Sequence, residues 1–414
     1  MNRIEKIIHT LIGNYPFIKI PLVFLYQSVL SLIPMKNYQI SKVIEMPGYF
    51  FGFHDKCPWS HDDLFILAHN FDQTKSLKKI ENMPIRIGIF DQTNNQLQLL
   101  KFKPISESSA WNWQQGSNAQ WIGDKNKIIF NDISHEKCIS KIIDTKGEIE
   151  SIFPFHIANT THNGHYAFTY SFARLGRGMS GYGYHFGHNL NTTELSNKSL
   201  GVLNLETEKH VVIFNVDEFY ELNFEDSMRN SFGFFSHCIS SLNSKRFVFL
   251  HRWINKFNRL RTRMYSADID GSNLFKFPLE DCSHIAWFDN QYILAYCKPF
   301  NKEYGYYLIK DLNVNIKKIM KNFILSDGHP QVSLNCKNII TDTYPDRFRR
   351  QYLKIFDIKS SREVILGVWR IPFQYRLKRR CDFHPRWNRS NSMICFDSTQ
   401  SGVRSLCLIQ SPFK

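Results

Sequence analysis

The chain has 414 residues, 43% hydrophobic and 15% aromatic, so it can bury a sizeable core and does not belong to the disordered class. Its formal charge of +15 favours polyanionic partners through long-range attraction. The nine cysteines form no CxxC pair and no regular framework, which favours a reducing compartment.

The first apolar segment covers residues 17–34, FIKIPLVFLYQSVLSLIP, and has about the length of a membrane span. Lys19, Pro21 and Gln27 interrupt it, which favours a helix at a membrane interface or packed on the domain. No secretory signal pattern stands at the start. We therefore expect residues 1–37 to be an apolar, helical segment of a cytoplasmic protein that associates peripherally with the inner membrane face.

A repeat follows this segment. Each copy has an apolar or aromatic residue, a polar turn of about five residues and an alternating apolar strand. The frame is clearest at residues 121–130, WIGDKNKIIF, and 387–396, WNRSNSMICF. The other copies begin at residues 59, 159, 240, 287 and 332. Units of four short strands at this spacing are propeller blades, so we predict an all-β fold in which residues 38–414 form one seven-bladed β-propeller.

The ring needs one more strand than the C-terminal end provides, because too few residues follow the last hairpin for two strands. Residues 38–46, YQISKVIEM, alternate between apolar and polar and precede the first copy. We predict that they close the ring by pairing with the C-terminal strand. A solenoid or a pair of sandwiches is the alternative.

Histidines recur at one position of the repeat, three residues before the start of a copy. The last five copies have His156, His237, His284, His329 and His384 at this register position, and the first two have Lys56 and Asn118. Since the first strand of each blade lines the central channel, equivalent positions form a ring near one mouth.

Imidazole is a common ligand for transition metals and titrates near neutrality. The ring therefore predicts a metal or substrate site, with His237, His329 and His384 as ligands and His284 as the next candidate ligand. His54 lies close to its own blade's register position and is a further candidate. The alternative is that each histidine is a packing residue that hydrogen-bonds a neighbouring blade.

The longest interval between register positions begins at His156 and contains residues 171–184, SFARLGRGMSGYGY. This glycine-rich loop presents two arginines, which bind carboxylates bidentately, and two tyrosines, which can act as acid or base. These residues are Arg174, Arg177, Tyr182 and Tyr184. With the histidine ring, the loop is suited to removing a proton next to a carboxylate. Alone, it would be a glycan-stacking or blade-packing element.

Further substrate-binding candidates follow from the affinity of aromatic rings and amides for sugar faces and hydroxyls, and of arginines for acidic groups. They are Trp111, Trp113, Gln114, Arg177, Arg252 and Arg386. The alternative for each tryptophan is packing within a blade.

The segments FGFHDKCPWS, WNWQQG, SFARLGRGMSGYGY, FVFLHRW, GHPQVS, TDTYPD and CDFHPRW resemble the propeller polysaccharide lyases. These are the oligogalacturonate-lyase and ulvan-lyase type, with related proteins of surface-polysaccharide gene clusters, and the resemblance covers roughly residues 45–410. It implies β-elimination of a uronate-containing glycan, in which the C5 proton is removed and the oxygen at C4 departs.

The resemblance also implies roles for single residues. Tyr182 or Tyr184 would be the acid or base, Arg174 the carboxylate partner, and His54 or His165 an auxiliary base. His237, His329 and His384 would hold a divalent metal ion such as Zn²⁺ or Mn²⁺.

Two functions follow. The first is a polysaccharide lyase acting on an acidic polysaccharide or oligosaccharide. The alternative is a non-catalytic glycan- or protein-binding propeller in surface-polysaccharide biosynthesis. No recognised nucleic-acid-binding module accompanies the positive charge, so we expect no nucleic-acid partner.

Overall fold

The computed structural model describes residues 16–34, 36–93, 100–184, 195–320 and 326–413. Within these residues, 29 strands form seven antiparallel sheets. Blade 1 consists of β3 Tyr49–Phe50, β4 Phe65–Asn70, β5 Ile85–Asp91 and β6 Phe102–Ser108. Blade 2 consists of β7 Gln120–Trp121, β8 Lys127–Ser134, β9 Lys137–Asp144 and β10 Ile149–Phe153. Blade 3 consists of β11 Ile157–Thr160, β12 Tyr166–Tyr170, β13 Ser199–Asn204 and β14 His210–Asn215.

Blades 4 and 5 repeat the same four-stranded order. They consist of β15 Phe232–Ser240, β16 Arg246–Ile254, β17 Leu260–Asp268 and β18 Phe275–Lys276; β19 Leu279–Trp287, β20 Tyr292–Pro299, β21 Gly305–Lys310 and β22 Ile316–Lys318. Consecutive inner strands contact one another from β11 through β15, β19 and β23 to β27, and β29 contacts β3. The sheets therefore close into the predicted seven-bladed propeller.

The last two blades take up the N-terminal strands. Blade 6 is β23 Gln331–Val332, β24 Asn338–Asp342, β25 Arg350–Asp357 and β26 Arg362–Arg370, with β1 Tyr38–Gln39 as a fifth strand; blade 7 is β27 Arg386–Trp387, β28 Met393–Ser398, β29 Ser405–Gln410 and β2 Ile44–Pro47. The segment expected to form one strand is thus divided. Ile44 pairs with Leu408 in blade 7, whereas Tyr38 pairs with Val368 in blade 6.

The central strands of each blade are buried on both faces because every sheet lies between two neighbours. In β16, seven consecutive side chains are buried. The outer strand β10 is mostly exposed. The aromatic residues fill the space between blades, as where the rings of Phe168 and Phe247 lie 4.6 Å apart. Because the central strands are buried on both faces, their sequences are mostly apolar and lack the polar alternation of a half-exposed strand.

The helices are short additions to the ring. They are α1 Pro16–Ser31, α2 Leu77–Ile80, α3 Phe172–Gly178 and α4 Val216–Leu222, with 3₁₀ turns at Asp226–Met228 and Leu377–Arg379. Helix α1 confirms the predicted N-terminal helix over Pro16–Ser31, and residues 1–15 of the predicted segment lie outside the described residues. In the part of the chain that the structure describes, no helix has the length and apolar character needed to cross a membrane.

Candidate metal and active site

The backbone at the register position leaves regular strand geometry. His237 has a φ of 55° and His384 a φ of 45°, in the left-handed region that only a few per cent of residues other than glycine adopt. The pairing of β15 with β16 shifts between Ser236 and Ile239, and that of β19 with β20 shifts between Cys282 and His284. Such bulges re-aim a side chain, and here they free the histidines from the alternation of the strand.

Five histidines converge around the ring of Phe53, and we call them the histidine cluster: His54, His237, His284, His329 and His384. Their ring centroids lie 4.5–6.4 Å from that of Phe53. His329 is the centre of the group, with the rings of His284 and His384 each 4.3 Å away. All five side chains are buried. The structure therefore brings together the four histidines predicted as ligands, and His54 joins them.

His156 is the one register histidine outside the histidine cluster. His156 donates from Nε2 to the carbonyl of Asp132 at 3.0 Å, and its ring meets those of Phe172 and Tyr184 edge-on. Burial lowers its pKa to about 4, so it is neutral at pH 7. His156 is therefore placed as the packing alternative expects.

Several ligand atoms of the cluster have no hydrogen-bond partner among the described residues. These atoms are Nε2 of His54, His237 and His329, both ring nitrogens of His384, and Oδ1 of Asp382. Ligand atoms of His329, Asp382 and His384 lie within 4.8 Å of one another, and all three residues are buried. Buried polar atoms are normally satisfied, so this grouping is well suited to a cation. Two imidazole nitrogens and a carboxylate oxygen are ligands that Zn²⁺ or Mn²⁺ accepts.

The buried Asp342 carboxylate holds the two ligand segments in place. Its Oδ1 accepts from both the backbone N–H and Nδ1 of His329, at 2.8 Å each. Its Oδ2 accepts from the backbone N–H groups of Phe383 and His384, at 2.9 and 3.1 Å. Burial alone would lower the pKa of His329, but the Asp342 carboxylate outweighs it and raises that pKa. A carboxylate on Nδ1 directs Nε2 toward the shared space, as outer partners of metal-bound histidines do.

Arg380 lies at the rim of the site. Its Nε donates to Oδ2 of Asp382 at 2.6 Å, and its Nη2 donates to the Tyr182 hydroxyl at 3.3 Å. Its side chain is 27% exposed, whereas that of Asp382 is fully buried. Burial raises the pKa of Tyr182 to about 12, against the opposing effect of Arg380. Tyr182 therefore carries its proton at neutral pH and is placed to donate it.

Arg252 and Asp327 border the cluster on another side. Arg252 donates from Nη2 to the carbonyl of Ser283 at 2.8 Å, and its Nε has no partner within the described chain. Asp327 accepts from Nδ1 of His284 at 3.0 Å. Burial would raise the pKa of Asp327, but His284 holds it below the usual range. Burial, and to a smaller extent the charge of Arg252, lowers the pKa of His237 well below its usual value, so this histidine is neutral.

Three of the predicted catalytic residues, Arg174, Tyr184 and His165, lie outside the histidine cluster. Arg174 donates from Nε and Nη2 to the carbonyl of Gly233, at 3.0 and 2.6 Å, and anchors the glycine-rich loop to β15. The Tyr184 hydroxyl accepts from Nδ2 of Asn131 at 2.8 Å. His165 is exposed in the turn after β11, at the opposite end of that inner strand from His156. The structure does not bring these three side chains into the histidine cluster.

Three of the predicted substrate-binding residues line one pocket, and the other three lie elsewhere. Trp111, Trp113 and Arg177 line this pocket, together with Tyr182, Tyr184, Glu81, Lys378 and both glycines that flank Tyr182. Gln114 donates from Nε2 to the carbonyl of Arg380 at 2.7 Å, which connects this pocket to the rim of the cluster. Arg386 instead is fully buried and donates from Nη2 to Asp397 and to the carbonyl of Gly52.

Four residues of the site were not singled out by the sequence: Phe53, Asp327, Arg380 and Asp382. Each lies within or directly beside a segment noted above, such as FGFHDKCPWS, GHPQVS or CDFHPRW. The register pattern concerns one residue type at one repeat position. Asp327 and Asp382 are carboxylates two residues before a register histidine, and this spacing is the sequence signal that points to them.

No model of a known protein family matches the sequence, and no curated protein matches it. Solved structures do match. An oligogalacturonate lyase in complex with manganese has a TM-score of 0.63 and 12% identity, over 92% of this chain and 96% of its own. The oligogalacturonate lyase of Vibrio parahaemolyticus has a TM-score of 0.59 and 13% identity, over 91% of this chain and 96% of its own. The chain therefore has the seven-bladed propeller fold that oligogalacturonate lyases also have.

Proposed function

We propose that this protein is a lyase that cleaves an acidic, uronate-containing glycan by β-elimination and uses a divalent metal ion. The observation that carries the proposal is the buried set of unpartnered ligand atoms on His329, Asp382 and His384, next to Tyr182 and Arg380. The shared fold with an oligogalacturonate lyase in complex with manganese supports it.

The metal ion would be held by His329, Asp382 and His384. When bound, Mn²⁺ or Zn²⁺ acts as a Lewis acid that offsets the charge of the uronate carboxylate and increases the acidity of the neighbouring C–H bond. Arg252 and Arg380 supply positive charge on two sides of the same space, which suits an anionic sugar.

The elimination requires a base at C5 and an acid at the departing oxygen. Burial lowers the pKa values of His54 and His237 well below the usual value, so both are neutral and can accept the C5 proton on Nε2. The C5–H electrons then form the C4–C5 double bond, and the C4–O bond breaks with its electrons on oxygen. Tyr182 gives its hydroxyl proton to that oxygen; its raised pKa keeps the hydroxyl protonated at neutral pH before this step.

The test is incubation with oligogalacturonate and other uronate glycans, with Mn²⁺ and again after chelation, while recording the ultraviolet absorbance of the new double bond. Tyr182→Phe should slow the reaction by about 10²–10⁴-fold, because it removes the proton donor. Tyr184→Phe is the matched control at the other tyrosine of the pocket; its hydroxyl lies on Asn131 and not on Arg380 at the rim of the cluster, so the change should alter the rate far less. Glycan binding without any absorbance change, on every uronate glycan, would instead support the non-catalytic propeller.

We also propose a cytoplasmic location. All nine cysteines are free thiols, and seven of them are buried in the blades. Free buried thiols are typical of a reducing compartment. An intracellular lyase would act on glycan intermediates before their export.

A further inference from the structure

Helix α1 has one face packed on the propeller. The Phe24 ring meets Phe373 edge-on at 4.7 Å, and the Arg376 guanidinium lies 3.5 Å above the centre of the Phe24 ring. At the C-terminal end of the helix, Arg370 donates to the carbonyls of Leu30 and Ile33 at 2.8 Å each. These contacts fix α1 at the outer side of blade 6 and determine which face remains in solvent.

The other face of α1 is apolar and exposed. Leu22 is 46% exposed, Leu25 64%, Val29 58% and Leu32 80%. We call these four residues the outer face of α1. The first three are spaced by three or four positions and so lie on one side of the helix, and Leu32 directly follows its last residue. Isolated exposed leucines are ordinary, but a continuous aliphatic stripe marks an interaction surface.

Cations surround this stripe. Arg370 and Arg376 lie at its base, and exposed Lys36 follows the helix. Next to Arg376, the 3₁₀ turn Leu377–Arg379 presents Leu377 at 66% exposure and also exposes Lys378. An aliphatic helix face bordered by lysine and arginine is the pattern of helices that lie on anionic membranes.

We propose that the outer face of α1, together with Leu377, is a docking surface for an anionic lipid bilayer, with the helix lying in the plane of the interface. The apolar side chains would enter the headgroup region while exposed Lys36 and Lys378 contact lipid phosphates, Lys378 with the Glu81 carboxylate 3.5 Å away. Arg370 and Arg376, which hold the helix on the propeller, add positive charge beneath it. A second copy of the chain is a poorer occupant, because a two-fold contact would oppose these cations to their own copies. The apolar side chains of this surface take no part in the proposed chemistry.

The surface also adjoins the candidate site along the chain. The segment that supplies Arg376 and Leu377 continues directly into Arg380 and Asp382. Gly181 of the glycine-rich loop also lies against it, since a Cβ there would be 3.2 Å from Cα of Lys378. A docked bilayer would therefore lie beside the rim of the histidine cluster, where a lipid-linked anionic glycan could reach it.

The experiment is sedimentation of the full-length protein with vesicles of phosphatidylcholine mixed with phosphatidylglycerol, and with vesicles of phosphatidylcholine alone. The double variant Leu25→Gln/Leu32→Gln should bind the anionic vesicles about tenfold or more weakly, because two exposed leucines no longer enter the interface. The matched control is Leu312→Gln/Val314→Gln, which changes two exposed aliphatic residues before β22, 51% and 69% exposed. This control should bind like the wild type.

A second variant tests the charge. Lys36→Glu should weaken binding to anionic vesicles, and added salt should weaken wild-type binding in the same way. Equal binding of wild type and Leu25→Gln/Leu32→Gln, equal binding to both vesicle types, or no binding at all would overturn the proposal. So would a wild-type dimer that the leucine variant dissociates, which would identify a second copy as the occupant. Circular dichroism melts of each variant establish that it is folded, and an unchanged lyase rate would separate this surface from the chemistry.

Discussion

The register position differs between the two sides of the propeller. In blades 4–7 it carries the four histidines that surround Phe53. In blades 1–3 it carries side chains used for packing: Lys56 pairs with Asp55 at 2.8 Å, Asn118 donates to the carbonyls of Ile157 and Ala158, and His156 donates to Asp132. Asn118 even shares the positive φ of His237 and His384. The same backbone position therefore holds packing side chains in blades 1–3, whereas in blades 4–7 ring nitrogens of His237, His329 and His384 have no partner among the described residues.

The largest expected effect comes from removing the central ligand. His329→Ala should lower the affinity for Mn²⁺ or Zn²⁺ by more than about 100-fold, since losing an outer partner alone typically costs 10–100-fold. His156→Ala is the matched control from the other side of the ring and should leave the affinity unchanged. Metal titration calorimetry on chelator-treated protein measures both. Equal losses in the two variants would remove the distinction between the sides.

The buried histidines of blades 1–3 should appear in the pH dependence of stability. His69 donates from Nδ1 to the carbonyl of Phe51, and its Nε2 accepts from the backbone N–H of Ser117, so a second proton would oppose that N–H. Burial lowers its pKa to about 4. Because the unfolded histidine titrates near 6.5, the unfolded state binds more protons between these values, and stability falls as pH falls through this window, by about 3 kcal/mol for this group.

Urea unfolding at pH 7 and at pH 4.5 measures this dependence. The variant His69→Gln should be less stable at pH 7 but should lose less stability on acidification than the wild type. An identical slope for the two proteins would contradict the neutral, fully bonded state of His69.

The variant Asp342→Asn tests whether the Asp342 carboxylate positions the metal ligands or only packs within the blade. Asp342→Asn keeps the shape but offers only one acceptor oxygen where five N–H donors, the Gln351 amide included, now converge on two, and it should weaken metal binding by about 10–100-fold. The same titration measures it. If Asp342→Asn unfolds at a lower urea concentration while binding metal like the wild type, the carboxylate only supports the blade.

The smallest effect is expected at Asn118. Asn118→Ala removes two hydrogen bonds, of 2.6 and 2.5 Å, to carbonyls of blade 3. It should lower the free energy of unfolding by about 1–3 kcal/mol without changing metal affinity. Reduced metal binding in this variant would show that the first blades also shape the site.

The sequence predicted what local patterns determine. Strand alternation and turn composition are short-range, so the blades and the histidine register were visible without coordinates. Partners distant in sequence were not. Arg174 donates to a carbonyl 59 positions later in the chain, and no local pattern shows that its guanidinium is occupied. Asp382 lies on a loop whose backbone hydrogen bonds end on Asp342, and only the folded loop places its carboxylate beside His329 and His384.

The strand Ile44–Pro47 lies beside Ser405–Gln410, so the beginning and the end of the propeller meet in one sheet. A gene rearranged to join these ends by a short linker, with new termini in the exposed turn that contains Leu312 and Val314, would retain every strand pair. The order in which the ribosome makes the blades is therefore one of several that the same closed ring would accept.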